Sequence, residues 1–118
     1  MSTLAIEGTI TELPAAGVAR VIDLRVALAR AAERRVIPLT SDSAVVVNLD
    51  GWTGINVLVI ESDTKITARI TSADGTDKDI PVDDLLLLVS RATPITALSL
   101  VRVAGQSATV TLTLGQEA

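Results

Sequence analysis

The sequence predicts an all-β domain, an antiparallel β-sandwich of jelly-roll type with at most one short helix. Three observations carry that prediction. The 118 residues contain no Cys, His, Phe or Tyr, and Trp52 is the only aromatic residue, so the core must be built from Val, Leu, Ile and Ala. Small β-branched side chains have stiff χ1 angles and favour strands, and they suit two sheets stacked about 10 Å apart. Apolar residues recur on alternate positions in many segments, most cleanly where Val110, Leu112 and Leu114 alternate with Thr109, Thr111 and Thr113. Turn residues separate these segments at short intervals, the pattern of a sandwich rather than of βαβ units.

The length fits a single domain spanning residues 1–118, large enough to close a core without disulfides or a metal. Residues 3–12 read as a strand, with Leu4, Ile6 and Ile10 on one parity and Gly8 placed as a bulge. Pro14 to Gly17 supplies a turn. Val18, Ile22, Leu24, Val26 and Leu28 extend a strand to about Leu28. The Ala, Leu, Arg and Glu of residues 24–35 are also strong helix formers, so a turn or one short helix is expected through Glu33. Strands are then expected over 36–40 and 44–49, the second closed by Asp50-Gly51 with Trp52 just beyond it. Residues 55–61 and 65–72 are joined by Ser62-Asp63-Thr64, a link of hairpin length, and Ala73 to Thr76 supplies a second hairpin signal before 78–82. Pro81 has no amide hydrogen, which assigns that strand to a sheet edge. The last third gives strands over 85–90, 95–103 and 108–114.

Two segments break the alternation. Val45-Val46-Val47 and Leu85-Leu86-Leu87-Leu88-Val89 are apolar on both parities. Only one face of a sandwich strand meets the core, so the other row must be covered, and a second copy of the chain is the simplest cover. Val45, Val47, Leu86 and Leu88 are the candidates for subunit packing, although periodicity alone leaves open which parity faces inward.

Catalytic chemistry finds few of its usual residues. General acid–base and nucleophilic catalysis at neutral pH commonly recruit His or Cys, and zinc and copper sites prefer the same side chains. The seven glycines are scattered singly, with no phosphate-binding loop. The expectation is a protein that is not an enzyme and needs no cofactor. Asp74, Asp77, Asp79, Asp83 and Asp84 form an acidic cluster whose spacing departs from the helix-flanked calcium loop, and a solvated acidic hairpin is the favoured reading over a Ca²⁺ site. Trp52, between Gly51 and Gly54, is read either as a plug for one open end of the sandwich, which is favoured, or as an exposed anchor for a partner or sugar ring.

The net charge of −4 argues against broad binding to nucleic acid or an anionic membrane. No segment is long and apolar enough to span a bilayer, and the first residues lack signal-peptide features, so assembly in a cytoplasm is expected. Charge is uneven along the chain. Residues 20–35 carry Arg20, Arg25, Arg30, Arg34 and Arg35 against two acids, whereas residues 61–84 carry seven acids against three bases. If these segments lie on different sides of the domain, head-to-tail packing around a rotation axis would join them, most simply as a trimer.

The segments Ile66-Thr67-Ala68-Arg69-Ile70, Asp79-Ile80-Pro81-Val82, Pro94 to Leu100 and Ala108 to Leu114 together resemble the small β-sandwich virion proteins of tailed bacteriophages, over about half the chain and in texture rather than by a diagnostic motif. The resemblance implies a capsid decoration (cement) protein, a homotrimeric jelly roll in the virion that contacts the major capsid protein and holds the shell together, with no catalytic residue. It makes Trp52, Arg30, Arg34 and Arg35 the candidate contacts to that partner. A head–tail or tail component, with rings of six or twelve, and a carbohydrate-binding sandwich are the alternatives.

Overall fold

The computed structural model describes residues 2–12, 20–90 and 92–116, with side chains over 32–90 and 92–116. Nine strands follow one another: β1 (Ser2–Glu12), β2 (Arg20–Leu39), β3 (Val45–Val46), β4 (Val57–Ser62), β5 (Ile66–Ser72), β6 (Asp77–Val82), β7 (Leu85–Val89), β8 (Ile95–Arg102) and β9 (Ala108–Gly115). They form a five-stranded sheet in the order β1-β2-β9-β4-β7 and a four-stranded sheet in the order β3-β8-β5-β6. Every pairing among the described strands is antiparallel.

The connectivity is that of a long hairpin rolled on itself. β5 pairs with β6 at the closed end, then β4 with β7, β3 with β8, and β2 with β9, successive pairs falling in alternate sheets. Pairings of β4 with β9 and β5 with β8 complete the two sheets. This is the jelly roll that the spacing of the segments predicted. Among the links within the described residues, the one from β5 to β6 is a hairpin, closed by Gly75 in the left-handed region (φ 86°) with the Gly75 amide donating to Ser72 O at 2.9 Å. The expected hairpin at Ser62-Asp63-Thr64 is instead an arch, because β4 and β5 lie in different sheets. Its length allowed either reading, and the core-facing apolar rows on both strands decide for the arch. Ser62, buried at the bend, turns its hydroxyl back to Thr64 O at 2.5 Å.

The core lies between the inner rows of the two sheets. Leu58, Ile60, Val110, Leu112, Leu114 and Leu39 of one sheet meet Ile66, Ala68, Ile70, Val82, Leu98 and Leu100 of the other. Alternation explains the choice, since the Thr row of β9 and Thr67, Arg69 and Thr71 of β5 occupy the outer parity. One end is closed by a bridge between the sheets, with Ile55 N donating to Ile95 O at 2.9 Å and Ile95 N to Ile55 O at 2.8 Å. Gly54 is buried beside it, and a Cβ there would lie 2.8 Å from Pro94 Cβ. Replacing Gly54 by Ala is therefore expected to cost about 1–3 kcal/mol in urea unfolding, because the ring of Pro94 cannot rotate away.

Two features of the N-terminal third differ from expectation. Residues 24–35 form no helix, and the strands expected up to Leu28 and over 36–40 are one continuous strand, β2. Tertiary pairing overrides the helix propensity: β2 pairs with β1 over most of residues 20–32 and with β9 over residues 32–39, so a neighbouring strand accompanies it on one side along nearly its whole length. The irregularity in β1 falls between Thr3 and Ala5 rather than at Gly8, where the register continues unbroken opposite Leu24. The turn expected at Pro14 to Gly17 lies outside the described residues. β3 is also shorter than expected, with two residues in place of six.

The split pairing of β2 gives the molecule its shape. Among the described residues, β9 accompanies β2 only from Ala32 onward, so β1 and residues 20–31 continue as a two-stranded arm in which each strand pairs with the other. Eleven residues of β1 reach about 35 Å at the usual rise per residue. The radius of gyration, 15.8 Å, exceeds the value of about 13.5 Å expected for a compact chain of this length.

Candidate interaction surface

The outer face of the five-stranded sheet has a polar middle and an apolar margin. β9 contributes Thr109, Thr111 and Thr113, whereas β4 and β7 contribute Val59, Leu85, Leu87 and Val89. Leu85 is 62% exposed, and Leu87 and Val89 are also exposed. Leu86 and Leu88 turn inward and pack against the core, as does Val45, and Val47 is buried within it. The structure thus corrects the choice of parity: Val45, Val47, Leu86 and Leu88 face the core, and the open row is Val46 with Leu85, Leu87 and Val89. The sequence offered no way to choose, because both rows of each segment are aliphatic, and a shift of one residue exchanges them.

β7 is also a sheet edge. Its hydrogen-bonding phase follows from the bonds that flank it, Ser62 N to Asp84 O at 3.0 Å and Ser90 N to Asn56 O at 2.7 Å. Antiparallel ladders alternate, so Leu86 and Leu88 exchange bonds with Ile60 and Leu58 of β4. Leu85, Leu87 and Val89 then present their amides and carbonyls to the open side. The same three residues carry the exposed apolar row.

Both edges of the four-stranded sheet are blunted. β6 carries Asp77, Lys78, Asp79 and Pro81, and β3 has only two residues. β7 holds neither charge nor proline.

At the Leu85 end of this edge lies an open groove lined by Glu61, Ser62, Asp63, Asp84, Leu85 and Thr111. Asp63 accepts a hydrogen bond from Thr109 N at 2.8 Å. Three acids of the expected cluster lie elsewhere, on the β5–β6 hairpin, while Asp83 precedes Asp84 in the link to β7: Asp74 caps the turn through Thr76 N, Asp77 accepts from the Thr71 hydroxyl, and Asp79 pairs with Arg69 at 2.8 Å. Their backbone and side-chain donors differ, and among the described residues no three acidic side chains gather as a cation site would require.

Trp52 lies at the opposite end, where β2 enters the sandwich. It follows a turn in which its amide donates to Leu49 O at 3.0 Å, with Gly51 in the left-handed region (φ 89°). The indole is half-buried against the core, and its Nε1 donates to Glu33 Oε2 at 3.3 Å. Glu33 also accepts a bidentate pair from Arg35 at 2.9 and 3.0 Å, and Arg35 Nη1 donates to Asn48 O. These contacts tie the root of the arm to the loop between β3 and β4. Arg35 is thereby engaged within the chain, Arg34 on the other parity is exposed, and the side chain of Arg30 lies outside the described residues. Glu33 was not singled out from sequence, although Glu33, Arg35, Ile37 and Leu39 share one parity.

The hydrogen bond from Arg35 holds the Glu33 carboxyl below its ordinary range, with the indole adding to the effect. Asp42 is lowered as well, first by the Gly105 amide and then by Arg102, which approaches at 3.0 Å. A carboxyl with a depressed folded-state pKa stabilises the fold above its ordinary pKa and loses that contribution as pH falls through the depressed value. Stability is accordingly expected to decline as pH drops below about 4. Glu33→Gln should narrow the gap between urea midpoints measured at pH 7 and pH 3, by a modest amount because the pair is solvent-exposed.

Strand order and connectivity define the class, a jelly-roll β-sandwich in which the β7 edge is apolar and unprotected. Beyond that class, the chain matches no known protein family, no curated protein and no solved structure. No helix among the described residues is long and apolar enough to cross a membrane.

Proposed function

We propose that this chain is a non-enzymatic structural protein of a tailed-bacteriophage virion, a capsid decoration protein that associates with copies of itself and with the major capsid protein of the shell. The observation that carries the self-association is the row Leu85, Leu87 and Val89, exposed on a strand whose outer edge is also open. Contiguous apolar surface of this kind marks an interface, and an unblunted edge strand invites another strand. The placement in a capsid rests on the jelly-roll fold together with the sequence resemblance. The carbohydrate-binding alternative loses its platform, since Trp52 is half-buried and spends its indole N–H on Glu33.

The arm supports a second reading, a ring component of the head–tail junction or tail, because an extended arm is suited to reaching along a ring. Light scattering at two concentrations about a hundredfold apart separates the two. A mass near 37 kDa, three times the 12.3 kDa chain, supports the decoration trimer, and about 74 kDa or more supports a larger ring. Co-sedimentation with phage shells stripped of decoration subunits then tests the capsid partner. A 12.3 kDa species at both concentrations overturns the self-association reading.

A further inference from the structure

We propose that the arm of one copy lies along the free β7 edge of a second copy, its Arg20–Ala31 segment entering as the next strand of the five-stranded sheet. This rests on the self-association reading above and names the surfaces that perform it.

The two halves of such a contact lie at opposite ends of the same sheet. Ala32, Gly115, Val57 and Val89 line up across the strands at the end from which the arm departs. Leu39 and Ala108, and Glu61 and Leu85, are paired at the other end, beside the acidic groove. A chain cannot bring its own arm to its own groove from there. A second copy can, in a head-to-tail contact that joins unlike surfaces.

Each surface lacks something that the other supplies. The β7 edge offers the amides and carbonyls of Leu85, Leu87 and Val89, and past Ala32 no strand among the described residues lies on the β2 side of the arm. The arm has an apolar parity of its own: Ile6 pairs with Val26, Gly8 with Leu24 and Ile10 with Ile22, all positions on one face of the ladder. That face can extend the open apolar row of the neighbour. Charge selects which strand of the arm enters. Residues 20–31 carry Arg20, Arg25 and Arg30 against Asp23, whereas β1 carries Glu7 and Glu12 and no base. The basic strand fits beside Glu61, Asp63 and Asp84, and the acidic strand would be repelled there.

The test is complementation between two full-length variants, read by light scattering. Leu87→Pro removes an amide from the open edge while leaving the bonds to β4 intact, and Leu87→Lys serves as a second edge variant with an unaltered backbone. Ile6→Lys with Leu24→Glu makes the apolar face of the arm polar without changing the net charge. Each variant alone should run as a 12.3 kDa monomer. An equimolar mixture should form a dimer of twice that mass, because one intact arm and one intact edge remain between the two chains. If the edge variants dissociate while the arm variant keeps the wild-type mass, two β7 edges pair with each other and the inference falls, with the self-association reading untouched. It falls equally if neither variant changes the mass. A wild-type protein that is itself monomeric overturns the self-association reading instead, and the inference with it.

Discussion

Truncating Leu112 to alanine should destabilise the fold by about 2–5 kcal/mol, enough to consume a large share of the stability of a domain this size. Leu112 is fully buried in the middle of β9, opposite Arg35 of β2 on one side and Ile60 of β4 on the other. The cost is expected towards the upper end of that range. The surrounding core is made of short branched side chains, which have little reach with which to close a cavity. Urea unfolding at pH 7 checks this, with the denaturant slope unchanged if the unfolded state is unaffected. Thr113→Ala, one residue along on the outer face, is the control and should move stability by no more than about 0.5 kcal/mol. Equal losses in the two variants would mean that β9 does not have the inside and outside described.

Substituting Lys for both Leu85 and Val89 should reduce the protein from its assembled mass to the 12.3 kDa monomer. Both side chains are exposed, so charging them removes no core contact, and the expected change in monomer stability is within about 0.5 kcal/mol. In the assembly the same ammonium groups would be buried against apolar surface, where an unpaired charge costs several kcal/mol. The contrast with Leu112 separates two roles for aliphatic residues in a chain that contains little else. Inner rows hold the domain together; the outer row of β7 is the surface proposed to hold domains to one another. A full-mass assembly carrying both lysines would place the interface elsewhere, and Val46 and Val36, the other large exposed aliphatics of the two sheets, would become the next surfaces to charge.

Much of the fold was legible because its information is local. Strict alternation marked β9, Pro81 marked an edge strand, and Gly75 marked the β5–β6 hairpin. The strand expected to about Leu28 is present, whereas the turn or short helix expected through Glu33 is strand instead, because helix propensity is also local and the pairing of β2 with both β1 and β9 is not. The link at Ser62-Asp63-Thr64 was misread for a related reason. Its length suits a hairpin, but only the rest of the chain determines whether the strands it joins share a sheet.

The interaction surface was half legible. That Leu85 to Val89 carries more apolar surface than one sheet face can bury follows from the residues themselves. The charge imbalance between residues 20–35 and 61–84 was equally plain, and the placement of the arm and of Glu61, Asp63 and Asp84 at opposite ends of the five-stranded sheet became visible only with the strand register.

The sequence alone thus determined an all-β sandwich with an aliphatic core, an acidic surface and a surplus apolar row, because composition and a period of two require no knowledge of neighbours. Tertiary structure alone decided that Leu86 and Leu88 face inward, that β7 ends its sheet, and that β2 outruns β9 to form an arm. Each of those facts depends on which distant strand lies alongside, and in a segment apolar on both parities a slip of one residue would exchange inside for outside without altering the local pattern.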